Sequence, residues 1–376
     1  MTMIATTLKN GTLLVLGDIL ISSQQQPPHF LLPTLLDDVL PYLPASAVYQ
    51  PVDLAQKIYL LKHNVCATFS GKLAIVKPFL EDLTMYCRYH TEVKVNDLEN
   101  YLQQYVTGTD LEDTSILILV LEKVDGVSHI RLLKAGSWQT AFSPLVGEIM
   151  AAGSGATDFI AMTQVKGDLI MPVQQYGALE EAILTNVSIL TRILAQERAI
   201  LTTVKKHWGA GFEVAYVAGG AFHKLDDITY IINQGQFDDS SSIETPVPAF
   251  VLHYKYHNNT LVITVLAAQE GSTQTTDQHY IFRFKKFVVD QFRVEPISLM
   301  GETIKDNVDS SFTSTRVGMG YILDAGNGYF TPASLHFEHD LKVEYHHKKS
   351  VTITMKKEIN DFLLQHVKHR FAERRS

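Results

Sequence analysis

Disulfides are the first thing this chain lacks, because its 376 residues include only two cysteines. A disulfide framework is therefore excluded. Cys66 and Cys87, set beside Val65, Ala67, Met85 and Tyr86, read as free buried thiols. A basic surplus is also missing. The 32 Lys and Arg stand against 40 Asp and Glu, for a net charge of −8, so the chain as a whole lacks the electrostatic footprint of a nucleic-acid binder. No apolar run approaches the roughly 18 residues a membrane helix needs, and the stretch at 116–121 is only strand length. The opening has no basic segment followed by an uncharged apolar stretch, since Lys9 and Asp18 interrupt it. No secretory signal is read there, and the expected compartment is the cytoplasm. With 46% hydrophobic and 19% charged residues, the composition is that of a globular chain and argues against wholesale disorder. At about 150 residues per domain, the length predicts two or three domains.

Local patterns predict an alternation of strands and helices. Strands at 4–8 and 12–16 flank Asn10-Gly11, a two-residue hairpin turn, and Asp18 sits just beyond the second. Residues 22–51 carry Gln24-Gln25-Gln26-Pro27-Pro28 and then Pro33, Pro41, Pro44 and Pro51. Repeated prolines block a long helix or a central strand, so this segment reads as a loop excursion. Strands at 57–61 and 65–69 form a second pair, closed by Ser70-Gly71. Helices are expected over 73–89 and 95–106, strands over 115–122 and 127–134, a helix from 157, and a long helix over 178–206. Strands at 212–217 and 225–232 follow. This order suits a layered α+β body with helices grouped onto sheet faces. A polar segment at 234–248 reads as a linker, which gives domains at 1–233 and 249–376. The second reads as β-rich with a helix over 357–371.

Chemistry concentrates at the start of the chain. Removal of Met1 is favoured by the small side chain that follows, and it leaves Thr2 as the terminus. A terminal Thr carries a hydroxyl nucleophile and an amine on adjacent carbons, and that amine titrates near 7.7–8.0. Pairing Thr with its own amine is one way to activate a weak nucleophile. Lys57 is placed to lower the hydroxyl pKa, and Asp18 to hold the lysine. Gly71 ends a strand and opens a helix, so its N–H is a candidate for an oxyanion, with the helix dipole assisting.

These motifs resemble those of proteasome β-type subunits and of the bacterial proteasome-like ATP-dependent peptidase. The resemblance rests on Thr2-Met3-Ile4-Ala5, Val15-Leu16-Gly17-Asp18, Lys57-Ile58-Tyr59, Ala67-Thr68-Phe69-Ser70-Gly71 and Ala152-Gly153-Ser154-Gly155-Ala156, in that order. It covers roughly residues 2–233. It implies the four-layer αββα fold of N-terminal-nucleophile hydrolases, followed here by the smaller β-rich domain. It also implies a threonine-type hydrolase of peptides or other amides that assembles as a homo-oligomer, because family members build closed rings. In that reading Thr2 is the nucleophile, Asp18 and Lys57 tune it, Gly71 supplies the oxyanion hole, and Ser154 supports the amine. Two departures stand out. Asp18 and Lys57 are 39 residues apart where the family keeps about sixteen, and the Pro-rich stretch fills the excess. Where the family places an Asp and a Ser, this chain has His207 and Ala210 if Gly211 is the matching glycine.

Other signals point to little chemistry. His336, His339, His346, His347, His366 and His369 crowd the end of the chain, but they lack ligand spacing with an accompanying Cys or Glu and read as solvated. No cofactor motif is found, and Gly219-Gly220 and Gly326-Asn327-Gly328 read as turns. Residues 342–376 hold nine Lys and Arg against four acids, a solvated basic face or a surface for an acidic partner. Nucleic acid finds no interleaved aromatic platform there. Two other functions stay open: a non-catalytic interaction protein on the same scaffold, and a small-amide hydrolase with 22–51 closing a narrow pocket.

Overall fold

The computed structural model describes residues 2–25, 27–91, 93–164, 169–170, 177–236, 247–297, 316–324, 329–330, 333–337, 341–346 and 350–358, with a few positions from 361 to 369. The chain opens with β1 (Met3–Lys9) and β2 (Thr12–Asp18). They reverse at Asn10 and Gly11, whose φ of 51° and 78° put both turn residues in the left-handed region. β3 (Leu20–Ser23) starts the proline-rich excursion, which holds β4 (Leu31–Leu32), β5 (Asp37–Asp38) and a 3-10 turn with Pro41 before β6 (Gln50–Gln56). β3 and β6 pair antiparallel, with Leu20 opposite Leu54, so the excursion leaves and returns at one place. It is also anchored, since Leu32, Thr34 and Val39 are fully buried.

β7 (Ile58–Lys62) and β8 (Val65–Ser70) follow, then α1 (Leu73–Tyr89), α2 (Val95–Thr107), β9 (Ser115–Val124) and β10 (Val127–Ala135). The four strands form one sheet in the order β10-β9-β8-β7. Its side chains alternate between two cores. Ala67, Ile116 and Ile118 meet Val76, Phe79, Leu83 and Leu98 of the helices. Cys66, Leu117 and Leu119 meet Leu13, Val15, Ala215 and Phe222 of a second sheet. Both faces are covered, which explains the unbroken apolar run at 116–121.

That second sheet uses β11 (Gln139–Ser143) and β12 (Gly147–Gly153), which local patterns did not reveal. α3 (Ala156–Gln164), β13 (Leu169–Ile170), α4 (Ala178–Ile200), β14 (Phe212–Ala218) and β15 (Ala221–Lys224) come next. The strand order is β11-β12-β1-β2-β14-β15. α4 stops short of the expected 206. Leu201 turns left-handed at φ 56° and its N–H closes on Glu197 O at 2.8 Å.

The remaining strands are β16 (Ile228–Gln236), β17 (Val247–His257), β18 (Thr260–Thr275), β19 (His279–Pro296), β20 (Arg316–Asp324), β21 (Tyr329–Phe330), β22 (Ala333–Phe337), β23 (Leu341–His346) and β24 (Ser350–Lys356). With β3, β6 and β13 they build a twelve-stranded sheet. The expected four-layer αββα sandwich with a smaller β-rich appendage is therefore corrected. The structure is 51% strand and 26% helix, with large curled sheets. The reason is visible at α4, which is not an outer layer. β20 lies against it, and Gly318 and Gly320 make the approach close: a Cβ at 318 would fall 2.2 Å from Thr191 Oγ1. Asn186, Ser188 and Thr191 are buried because each returns a bond of 2.7–2.9 Å to its own helix, to Ala182 O, Leu184 O and Val187 O.

Among the described residues no helix is long and apolar enough to cross a membrane. Most of the expected linker, 237–246, and much of the expected terminal helix lie outside the described residues, as do His339, His347 and His366.

Candidate active site

Thr2 precedes β1, Asp18 ends β2, and Lys57 stands between β6 and β7. All three are buried, Lys57 and Asp18 completely. The Thr2 hydroxyl donates to Asp18 Oδ1, and the Lys57 Nζ donates to Thr2 Oγ1. Lys57 Nζ also donates to Asp18 Oδ1 and to Leu20 O, each at 2.6 Å. Three acceptors thus meet the three N–H bonds of the ammonium. Burial pushes the Lys57 pKa down, with Asp18 pulling the other way. The 39-residue gap does not keep Lys57 from Asp18, because β3–β6 pairing brings the excursion back to where it left.

Asp18 is held as well as holding. Met3 N–H donates to Oδ1 at 2.9 Å and Gly209 N–H to Oδ2 at 2.8 Å. The Lys57 backbone is seated by Glu213, whose Oε2 accepts from Lys57 N at 2.6 Å and Ile58 N at 3.2 Å. Lys224 pairs with the other oxygen of Glu213, which also accepts from Tyr256 OH at 2.9 Å.

Thr2 and Lys57 face a cleft of about 510 Å³, lined also by Gly71, Ser154, Tyr49 and Trp138. Ser154 follows the β12 strand that pairs with β1, and its single O–H lies 3.4 Å from both Thr2 O and His207 O, within reach of either carbonyl. Gly153 permits this approach, since a Cβ there would sit 1.9 Å from Thr2 O. The Ser70 hydroxyl, next to Gly71, is buried on the cleft without a hydrogen-bond partner among the described residues.

Gly71 adopts φ +107°, and a Cβ there would meet Asp113 O at 2.0 Å. Gly71→Ala is expected to lower stability by at least about 1–2 kcal/mol from the left-handed backbone alone. Thermal unfolding checks this, and an unchanged midpoint would contradict the geometry.

Four of the five residues singled out by sequence, Thr2, Lys57, Gly71 and Ser154, line one cleft, and Asp18 is buried behind it, bonded to Thr2 and Lys57. The sequence reading missed Glu197. It occupies the position after Val187, Leu190 and Leu194 on the apolar stripe of α4, and an acid on such a stripe was the available signal. Glu197 accepts from Thr34 Oγ1 at 2.6 Å, from the Thr203 hydroxyl, and from Ala210 N–H at 3.0 and 3.2 Å. At the departure positions, the Ala210 N–H is bound by this acid. The His207 carbonyl meets Ser154, and burial pushes the His207 imidazole pKa down. The sequence matches no protein-family model and no curated protein.

Proposed function

We propose that the protein is a threonine-type hydrolase of amide bonds, with peptides as the leading substrate class and the N-terminal-nucleophile hydrolases as its mechanistic relatives. The observation that carries the reading is the fully buried Lys57–Asp18 pair closed onto the Thr2 hydroxyl at the base of a cleft. A buried ion pair is a poor stabiliser compared with apolar packing, so its placement on a hydroxyl argues for chemistry. The cleft volume lies in the range of small-ligand and short-peptide sites.

In the proposed cycle, processing frees the Thr2 amine. Thr2 Oγ1 attacks the carbonyl carbon, and its proton passes to that amine. The C–N bond breaks, the proton goes to the departing amine, and an ester remains on Thr2. Water then attacks the ester, giving its proton to the Thr2 amine. The Thr2 oxygen leaves with a proton, which restores the enzyme and releases a carboxylic acid. Lys57 keeps the hydroxyl oxygen polarised and Asp18 holds Lys57. The Gly71 N–H is assigned to the oxyanion.

The test is reaction with a peptide epoxyketone, which needs both a hydroxyl and a free amine on one residue. Intact mass is expected to show Thr2 at the terminus and one adduct per chain, absent from Thr2→Ala. Processed protein that forms no adduct and hydrolyses neither peptides nor short amides would overturn the reading.

A further inference from the structure

The turn at 207–211 leans on the segments around it: Trp208 N–H donates to Thr203 O at 3.2 Å, and Gly211 O accepts from Ile19 N–H at 3.2 Å. His207, Gly209, Ala210 and Gly211 take φ of 66°, 108°, 64° and 140°, four left-handed residues out of five. Such conformations persist where surrounding contacts over-determine them. One contact is Gly209 N–H on Asp18, in the reactive cluster itself. Another is the neighbouring Ala210 N–H on Glu197, a residue with no exposed surface. The fit is close, because a Cβ on Gly209 would lie 2.1 Å from Glu197 Oε2. The same carboxylate accepts from Thr34 in the 22–51 excursion and from Thr203 just after α4.

We infer that Glu197 is a positioning residue: it seats the 207–211 turn on Asp18, ties the excursion to that turn, and thereby sets the reactivity of Thr2. The inference rests on the reading of Thr2 as a nucleophile. Ala210 N–H can only donate, and an ionised Glu197 offers both oxygens to it and to the Thr34 and Thr203 hydroxyls, whereas a protonated carboxyl must turn one oxygen into a donor and re-order the set.

Burial pushes the Glu197 pKa up to about 6, against the bonds from Thr203, Thr34 and Ala210. The groups around it are Asp18 across the turn, the Tyr254 hydroxyl beside Gly211, and Arg198, which donates to Thr34 O at 2.9 Å and lies over Phe250. His207 stands at the far end of the same turn. A carboxyl whose folded pKa is above its unfolded value loses stability as pH rises through the window between them. Ionised Glu197 is thus retained at a stability cost, which argues for a role in the site.

The experiment compares the rate of epoxyketone adduct formation for wild type and Glu197→Gln from pH 5 to pH 8, with thermal melts of both. The rate ratio cancels the titration of the Thr2 amine, which the two proteins share. It is expected to rise from near one in acid to about tenfold at pH 7.5, with its midpoint near the Glu197 pKa of about 6. The midpoint of unfolding of Glu197→Gln at pH 7.5 is expected at or above that of wild type. A ratio that stays constant with pH, or a loss of rate that tracks a lowered melting temperature, would overturn the inference while leaving the nucleophile reading intact. Wild type that forms no adduct at any pH would overturn both.

Discussion

Thr2→Ala is expected to lower turnover by about four orders of magnitude or more, the usual consequence of deleting a nucleophile from a set of groups that act as a unit. The fold should survive the change. The substitution removes the hydroxyl that accepts from Lys57 and donates to Asp18, but the Lys57–Asp18 contact at 2.6 Å and the Lys57 bond to Leu20 O remain. The expected stability loss is about 1 kcal/mol, one hydrogen-bonding group in a site that keeps its charges balanced. Thr2→Ser keeps the oxygen in place and should retain most of the activity. The measurement is kcat/KM on short peptide amides, using protein whose first residue has been read by mass. Turnover by Thr2→Ala within tenfold of wild type would remove Thr2 from the chemistry.

Lys57→Met is expected to hurt both activity and folding. It leaves the Asp18 carboxylate fully buried, with only Met3 N–H, Gly209 N–H and the Thr2 hydroxyl around it. Breaking a buried pair on one side costs about 3–5 kcal/mol, because the remaining charge is uncompensated. Adding Asp18→Asn removes the stranded charge and should recover most of the stability with none of the turnover, a non-additivity expected of touching residues. Urea unfolding at pH 8 measures the effect. A Lys57→Met protein as stable as wild type at pH 8 would show that the pair is not coupled as described.

The residues of the candidate site were legible because each sits at a local boundary that sequence marks well. Thr2 and Asp18 bracket a hairpin whose turn, Asn10-Gly11, needs two left-handed residues. Gly71 and Ser154 stand where strands end and helices begin. Lys57 was readable as a residue type near a strand start, but its distance from Asp18 was not. Only the pairing of β3 with β6 brings positions 39 apart into contact, and strand pairing across an excursion leaves no spacing signal. Glu197 was harder still. Its place on the apolar stripe was visible, but its partners Thr34, Thr203 and Ala210 come from segments that local pattern treats separately.

The layering was the point where sequence misled. The 3.6-residue spacing of Val187, Leu190 and Leu194 shows one apolar face of α4, and the natural inference is a polar face in solvent. Asn186, Ser188 and Thr191, which flank that stripe, satisfy their polar groups within the helix, so its sides could be buried too, Thr191 under β20 and the glycines that admit it. The sequence alone determined the turns, the free thiols and the lack of a basic surplus, and it marked the side chains proposed for chemistry, because these depend on residue type and near neighbours. Tertiary structure alone decided that a twelve-stranded sheet covers α4, that the excursion returns Lys57 to Thr2, and that a helix carboxylate braces the turn on Asp18, because each depends on contacts between segments far apart in the chain.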